Sequence, residues 1–204
     1  GLSSIAASNH DGGSFPGPSG SWDRVLVDAP CSGEGTSRRL VSALRPGPPG
    51  YYRMLHGRQR RLLERALELC RPGGRVVYST CTYAPEENEL VIADVLERSR
   101  KALDVTVLPA RLPGLAGSTG ITEWEDRRLE DELENTLRIW PHQNDSGGFF
   151  VAVLEKRFRA EPSAPGVSRG TVPERSSGSG GAALDGEHGS REVPPRSDME
   201  QSHE

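Results

Sequence analysis

Two of the three cysteines follow short apolar segments that end in turn residues. Cys31 comes shortly after Val25–Asp28, and Cys81 comes shortly after Val76–Ser79. Such β-rich runs predict buried parallel strands, and in open α/β sheets ligands bind just outside the carboxyl ends of the strands. We therefore expect Cys31, Cys81 and the carboxylate of Asp28 to face one crevice, where a thiolate can act as a nucleophile.

The alternative for any single cysteine is that it is a small, buried, apolar residue. Cys70 fits this alternative because it ends a segment with helical periodicity, whereas Cys31 and Cys81 each stand beyond the end of a strand. A phosphatase loop of the form Cys-x5-Arg does not match. Ser37 holds the arginine position relative to Cys31, and Arg38 comes one residue late.

Hydrophobic periodicity predicts an α/β fold. The predicted elements are a possible strand end at 3–8, a strand at Arg24–Asp28, an irregular segment at Glu34–Gly50, a helix at Arg58–Cys70, a strand at Arg75–Ser79, a helix from Pro85 to about Arg100, a strand at Val105–Leu108, and extended segments at Leu137–Trp140 and Gly148–Leu154. The first helix and the strand after Pro72-Gly73-Gly74 form a crossover unit, which is right-handed in nearly all parallel sheets.

Composition divides the chain of 204 residues into two parts. Residues 159–204 are rich in Ser, Gly and Pro and too poor in apolar residues to offset the entropy cost of ordering, so we predict a disordered tail. From Glu161 onward, 8 acidic residues and 4 arginines account for the whole formal net charge of −4. Residues 1–158 are expected to form one domain.

The charges within residues 1–158 are unevenly placed. From Arg38 to Arg75 there are 10 arginines against Glu64 and Glu68. Beside a candidate active site this predicts a polyanionic substrate, although a solvated arginine-rich helix explains it equally well. Three cysteines without a Cys-x-x-Cys pair argue against a zinc ribbon and a disulfide framework. With no signal peptide and no long apolar run in view, we expect a cytoplasmic protein that binds neither metal nor membrane.

Several ordered segments resemble the Sun (RsmB-like) family of RNA cytosine-5 methyltransferases over roughly residues 9–155. These segments are Asp28-Ala29-Pro30-Cys31-Ser32-Gly33-Glu34-Gly35, Pro72-Gly73-Gly74, Tyr78-Ser79-Thr80-Cys81-Thr82, Pro85-Glu86-Glu87-Asn88-Glu89, Trp140-Pro141-His142 and Gly147-Gly148-Phe149-Phe150-Val151-Ala152. The resemblance implies S-adenosylmethionine as cofactor, a cytosine in tRNA or rRNA as substrate, and the sheet of a class I, Rossmann-like methyltransferase.

The resemblance also implies roles for individual residues. Cys81 is the nucleophile that adds to carbon 6 of cytosine, and Cys31 assists release of the product. Related DNA methyltransferases use the Pro-Cys cysteine as nucleophile, so the reversed assignment is the main rival. Asp28 lies between cofactor and base, and Asp11 is the residue that contacts the adenine of the cofactor. Gly13 departs from the family pattern Asp-Gly-Arg at that place.

The family's glycine-rich loop and its first strands have no counterpart in the sequence, so we expect a partial methyltransferase sheet. Three hypotheses follow: a piece of an active methyltransferase, a half-domain completed by another chain, or a non-catalytic RNA-binding remnant. The presence of both cysteines and Asp28 favours the first. We expect the chain alone to bind S-adenosylmethionine weakly or not at all, and its first strand to leave an open apolar edge that promotes association.

Overall fold

The computed structural model describes residues 3–99 and 104–157. Its strands and helices are β1 (Trp22–Asp28), α1 (Tyr51–Leu69), β2 (Cys70–Thr80), α2 (Glu89–Ser99), β3 (Val105–Leu108), β4 (Ser118–Thr119), β5 (Glu123–Trp124), β6 (Arg127–Arg128), β7 (Leu137–Ile139), α3 (Pro141–Asn144) and β8 (Phe149–Lys156). Short 3-10 turns lie at Gly12–Ser14, Glu34–Thr36, Val41–Leu44, Pro85–Glu87 and Asp131–Asn135. The predicted α/β class is confirmed.

The main sheet has the order β1-β2-β8-β7-β4, with β3 also pairing with β8. β1 and β2 run parallel, while β8 is antiparallel to β2, β3 and β7. Among the described residues β1 pairs only with β2, so it forms an edge of the sheet. Leu26 on this edge is 68% exposed, which agrees with the apolar edge expected from the sequence.

Both long helices bury one face against the sheet. Leu63 and Leu67 of α1 are fully buried, as are Val91 and Val95 of α2. Their spacing of four residues places each pair on one side of its helix. These residues join Val76, Tyr78, Phe150 and Leu154 of the sheet in one hydrophobic cluster, which holds the carboxyl ends of β1 and β2 in place.

Several expectations need correction. No strand forms at 3–8, where every side chain is exposed and no neighbouring strand supplies partners. The first helix begins at Tyr51 rather than Arg58, and three two-residue strands between 118 and 128 were not predicted. Arg100, the domain boundary at 158 and the predicted tail at 159–204 lie outside the described residues.

Candidate active site

Parallel pairing of β1 and β2 brings Cys31 and Cys81 together. The register opposes Asp28 to Ser79 at the carboxyl ends of the strands, and Ala29 N donates to Ser79 O at 2.9 Å. Beyond this point each strand gives way to a loop that carries a cysteine. The Sγ atoms of Cys31 and Cys81 lie 3.3 Å apart, and the Cys81 N–H donates to Cys31 Sγ at 3.3 Å.

The surroundings of Cys31 favour its protonated form. Burial, followed by the hydrogen bond with the Cys81 thiol, raises the pKa of Cys31 from 9.0 to about 12. Cys31 is therefore a neutral thiol at physiological pH, able to hold and donate a proton. Cys70 lies elsewhere, fully buried in the hydrophobic cluster, as expected of a packing residue.

Cys81 lines a cavity of about 690 Å³. Arg38 and Arg39 line the same cavity, together with Leu112, Leu115, Ile139 and the 145–149 loop. Arg38 is held by an ion pair with Asp145 at 2.5 Å. The cavity thus combines a thiol, cationic side chains and apolar surface, a combination suited to a planar base attached to a phosphate chain.

Two glycines allow three loops to pack tightly beside Cys81. Gly35 N donates to Cys81 O, and Gly148 N donates to Gly35 O, both at 2.8 Å. A Cβ atom on Gly35 would lie 2.2 Å from Gly148 O, and one on Gly148 would lie 2.1 Å from the Tyr83 ring. Side chains are therefore excluded at both positions. The sequence motifs contain both glycines but do not reveal this packing role.

Glu34 makes a second connection between the two cysteine loops. Its Oε2 accepts from Tyr83 N at 3.3 Å and lies 3.3 Å from the Thr82 hydroxyl. Its Oε1 accepts from the Tyr52 hydroxyl on α1 at 2.9 Å. Burial and this contact with Glu34 raise the pKa of Tyr52 to about 12, so the phenol remains a donor. No sequence pattern predicted these contacts of Glu34.

Asp28 and Asp11 line a second cavity, of about 770 Å³. Asp28 accepts from the Ser79 hydroxyl at 3.3 Å, and Asp11 caps a 3-10 turn by accepting from Gly13 N at 2.9 Å. Asp28 and Cys81 line different cavities. The single crevice expected from the sequence is therefore divided in two.

The arginine-rich block serves both of the purposes that the sequence left open. Arg38 and Arg39 line the cavity of Cys81, and Arg58 lines the cavity of Asp28. By contrast, Arg60 and Arg65 pair with glutamates one turn away on the surface of α1. Cavity lining and ion pairing overlap at Arg38, which also pairs with Asp145.

In residues 3–99 and 104–157 no group of three or more His, Cys, Asp or Glu side chains is arranged to hold a metal ion. Over the same residues no helix has the length and apolar character needed to cross a membrane. The cytoplasmic location stays a prediction.

Comparison with known proteins agrees with the fold described above. A methyltransferase homolog protein from Pyrococcus horikoshii is 34% identical in sequence, and its crystal structure superposes with a TM-score of 0.54 over 67% of this chain and 39% of its own. This similarity confirms the predicted fold, the partial sheet of a class I, Rossmann-like methyltransferase.

Curated relatives are named for RNA modification. The chain is 35% identical to a multisite-specific tRNA:(cytosine-C(5))-methyltransferase of Saccharomyces cerevisiae, over 66% of this chain and 23% of the relative. It is also 35% identical to ribosomal RNA small subunit methyltransferase F of Klebsiella pneumoniae, over 85% of this chain and 34% of the relative. The chain thus spans about a quarter to a third of the lengths of these relatives. Since the family model of the 16S rRNA methyltransferases RsmB/F matches residues 1–155, this chain belongs to the RsmB/F family.

Proposed function

We propose that this chain carries the reacting centre of an enzyme that transfers a methyl group to carbon 5 of cytosine in RNA. The observation that carries the proposal is the pair of thiols 3.3 Å apart, one of them in a cavity with two arginines. Membership of the RsmB/F family and the names of relatives that act on tRNA and rRNA support it.

Carbon 5 of cytosine is a weak nucleophile, and a cysteine can activate it. A thiolate that adds to carbon 6 opens the 5,6 double bond and leaves an electron-rich carbon 5 able to attack an electrophilic methyl group. Two observations favour Cys81 for this role. Cys81 lines the cavity that fits a base, whereas the raised pKa of Cys31 keeps that residue a protonated, weakly nucleophilic thiol.

Cys31 then serves the final step, in which the C6–S bond breaks and carbon 5 loses its proton. Its sulfur lies beside that of Cys81. In this proposal Cys31 passes its proton to the departing Cys81 sulfur and, as a thiolate, takes up the proton that leaves carbon 5, so the double bond re-forms and both residues end as thiols. The proton that Cys81 lost to solvent before its attack is the one proton that the overall transfer releases.

The cavity of Asp28 fits the cofactor S-adenosylmethionine, which supplies the methyl group on a positively charged sulfur. Asp11 uses Oδ1 to accept from Gly13 N, which leaves its other oxygen for the adenine side of the cofactor. Phe15 and Leu62 offer apolar surface in the same cavity. Asp28 ends β1 in the same cavity, where its carboxylate would face the positively charged sulfur of the cofactor.

Arg38 and Arg39 would contact the RNA backbone around the target. Phosphate contacts of this kind position a nucleic acid without reading its sequence. A target cytosine in a helix would have to leave its stack to reach Cys81.

The test is methyl transfer from radiolabelled S-adenosylmethionine to unmodified tRNA and rRNA by these residues within a full-length protein that also carries the family's glycine-rich loop, with adducts followed on denaturing gels. Cys81→Ala should abolish both methylation and adduct formation, whereas Cys31→Ala should accumulate a denaturant-stable protein–RNA adduct. Cys70→Ala is the matched control, because that cysteine lies in the core, and it should behave like the wild type. Adducts formed by Cys81→Ala but not by Cys31→Ala would reverse the assignment. RNA binding without methyl transfer by the full-length wild type would favour the non-catalytic alternative.

A further inference from the structure

Glu87 is a buried carboxylate that joins both cysteine loops. It ends the turn Pro85–Glu87, and its side chain is fully buried. Its Oε2 accepts from Ser32 N at 2.9 Å and from Gln59 Nε2 at 2.8 Å. Its Oε1 lies 3.3 Å from the Thr82 hydroxyl. A carboxylate is costly to bury, and here backbone and side-chain donors offset that cost.

The donors to Glu87 are the residues that follow the two cysteines. Ser32 comes directly after Cys31, and Thr82 comes directly after Cys81. The hydroxyls of Ser32 and Thr82 are themselves hydrogen-bonded at 2.7 Å. A displacement of Glu87 would therefore move both loops at once.

Helix α1 also contacts the Glu87 carboxylate, through Gln59, which is fully buried as well. Its amide nitrogen donates both to Glu87 and to the carbonyl of Pro30, the residue before Cys31, at 2.9 Å. The carboxylate is thus fixed by a helix of the core on one side and holds the cysteine loops on the other.

We propose that Glu87 is the positioning residue that sets the separation of the two thiols. This proposal rests on the function proposed above, because it explains how the nucleophile and its proton partner are kept in contact. Glu87 lines neither the cavity of Cys81 nor the cavity of Asp28. It acts through Ser32 N and the Thr82 hydroxyl. Replacing Glu87 should therefore displace the two thiols more than a substitution elsewhere that lowers the stability of the fold by the same amount.

The experiment measures how fast diamide links Cys31 to Cys81 in the folded chain. Each linkage joins the two sulfurs, and the diamide takes up the two protons and two electrons that are released. At a separation of 3.3 Å the wild type should link readily and leave Cys70 free. Since no RNA or cofactor is present, this result is independent of whether the chain methylates RNA.

Glu87→Leu should slow the linkage by about tenfold or more, because displacements of roughly 1 Å have effects of that order on reacting groups. Glu87→Gln should restore the rate to within about threefold, since its carbonyl oxygen can still accept from Ser32 N and Gln59 while its amide faces the Thr82 oxygen. The matched control is Glu89→Leu. Glu89 is as deeply buried, but its partners are Arg138 and Ile121 N. Its link to a cysteine loop is indirect, because Arg138 donates to the carbonyl of Tyr83, two residues after Cys81, at 3.0 Å.

Equal slowing in Glu87→Leu and Glu89→Leu, at matched losses of thermal stability, would show a merely structural role and overturn the proposal. Failure of the wild type to link would overturn it as well, because the thiols would then not be adjacent in solution. If Glu87→Leu does not fold, Thr82→Val replaces it, since it removes one donor to Glu87 without burying a charge. An unchanged rate in folded Thr82→Val would then refute the proposal.

Discussion

The buried ion pair between Arg138 and Glu89 should contribute strongly to stability once one partner is removed. Arg138 donates Nε to Oε1 at 2.7 Å and Nη2 to Oε2 at 2.5 Å. The exposed fractions of the two side chains are 6% for Arg138 and 0% for Glu89. Glu89→Leu leaves the guanidinium buried without its carboxylate, a change that costs about 3–5 kcal/mol in comparable pairs.

Urea unfolding followed by tryptophan fluorescence measures this cost, and Trp140 is a local reporter because Arg138 lies 5.7 Å from its ring. With a slope of about 2 kcal/mol per molar urea, a loss of about 4 kcal/mol lowers the midpoint by about 2 M. The double variant Glu89→Leu/Arg138→Met should be more stable than Glu89→Leu, because it removes the unpaired charge.

The control is Arg128→Met, which breaks an ion pair whose side chains are 67% and 80% exposed. Exposed pairs contribute about 1 kcal/mol or less, so this midpoint should shift little. A loss of less than about 1 kcal/mol in Glu89→Leu would refute the reasoning, since it would place the buried pair in the same range as an exposed one.

Three further outcomes follow from the structure. Folding raises the pKa of Cys31 from 9.0 to about 12, so its contribution to stability is complete below pH 9.0 and is lost as the pH rises towards 12. At pH 8, iodoacetamide should therefore alkylate Cys31 far more slowly in the folded protein than in the urea-denatured protein. Burial would raise the pKa of Asp94, but hydrogen bonds from Arg127 and His56 outweigh burial and lower the pKa. The contribution of Asp94 to stability is therefore present above pH 3.8 and is lost on acidification. Asp94→Asn should narrow the difference between the urea midpoints measured at pH 7 and at pH 3. Gly35→Ala should lower the free energy of unfolding by at least about 2 kcal/mol in calorimetry, because the new Cβ would lie 2.2 Å from a backbone oxygen. The control is Gly57→Ala in α1, where a Cβ meets nothing within 4 Å, so this substitution should be neutral or stabilising.

The strands that hold the site were predictable because their apolar runs are unambiguous. Val105–Leu108 matches the structure residue for residue, and β1 differs only by beginning at Trp22. The start of α1 was missed because a polar residue interrupts its buried face: Leu55, Gln59 and Leu63 are all buried at a spacing of four. Gln59 belongs there because it serves Glu87 and Pro30, which no periodicity reveals.

The strands near the end of the described residues show a different limit of prediction from sequence. Their extended character was predicted, but the position of β8 between β2 and the shorter β3 and β7 was not. Pairing partners distant in sequence depend on the packed sheet, which hydrophobic pattern alone does not specify. The two-residue strands β4 to β6 are too short to show any alternation.

Within the site, the sequence suggested which residues react, which stays a prediction, but not which residues hold them. Parallel register explains why Cys31 and Cys81 emerge side by side, yet the backbone pairing of β1 with β2 continues only as far as Ala29 N and Ser79 O. Sulfur atoms 3.3 Å apart require constraints beyond that point. The structure supplies them through Glu87, through Glu34, and through the backbone of Gly35.

These supports share a property that hides them from sequence analysis. Glu87 and Glu34 bind backbone N–H groups or hydroxyls close to the cysteines, and Gly35 N binds the carbonyl of Cys81. Each of these contacts joins parts of the chain that are distant in sequence. Glu86 and Glu87 look equivalent in the sequence, as two acidic residues at the start of a helix. Only folding separates them, because Glu86 stays partly exposed while Glu87 turns inward to the donors beside both thiols. The chemistry of the thiols therefore depends on a carboxylate whose role is determined by burial rather than by motif.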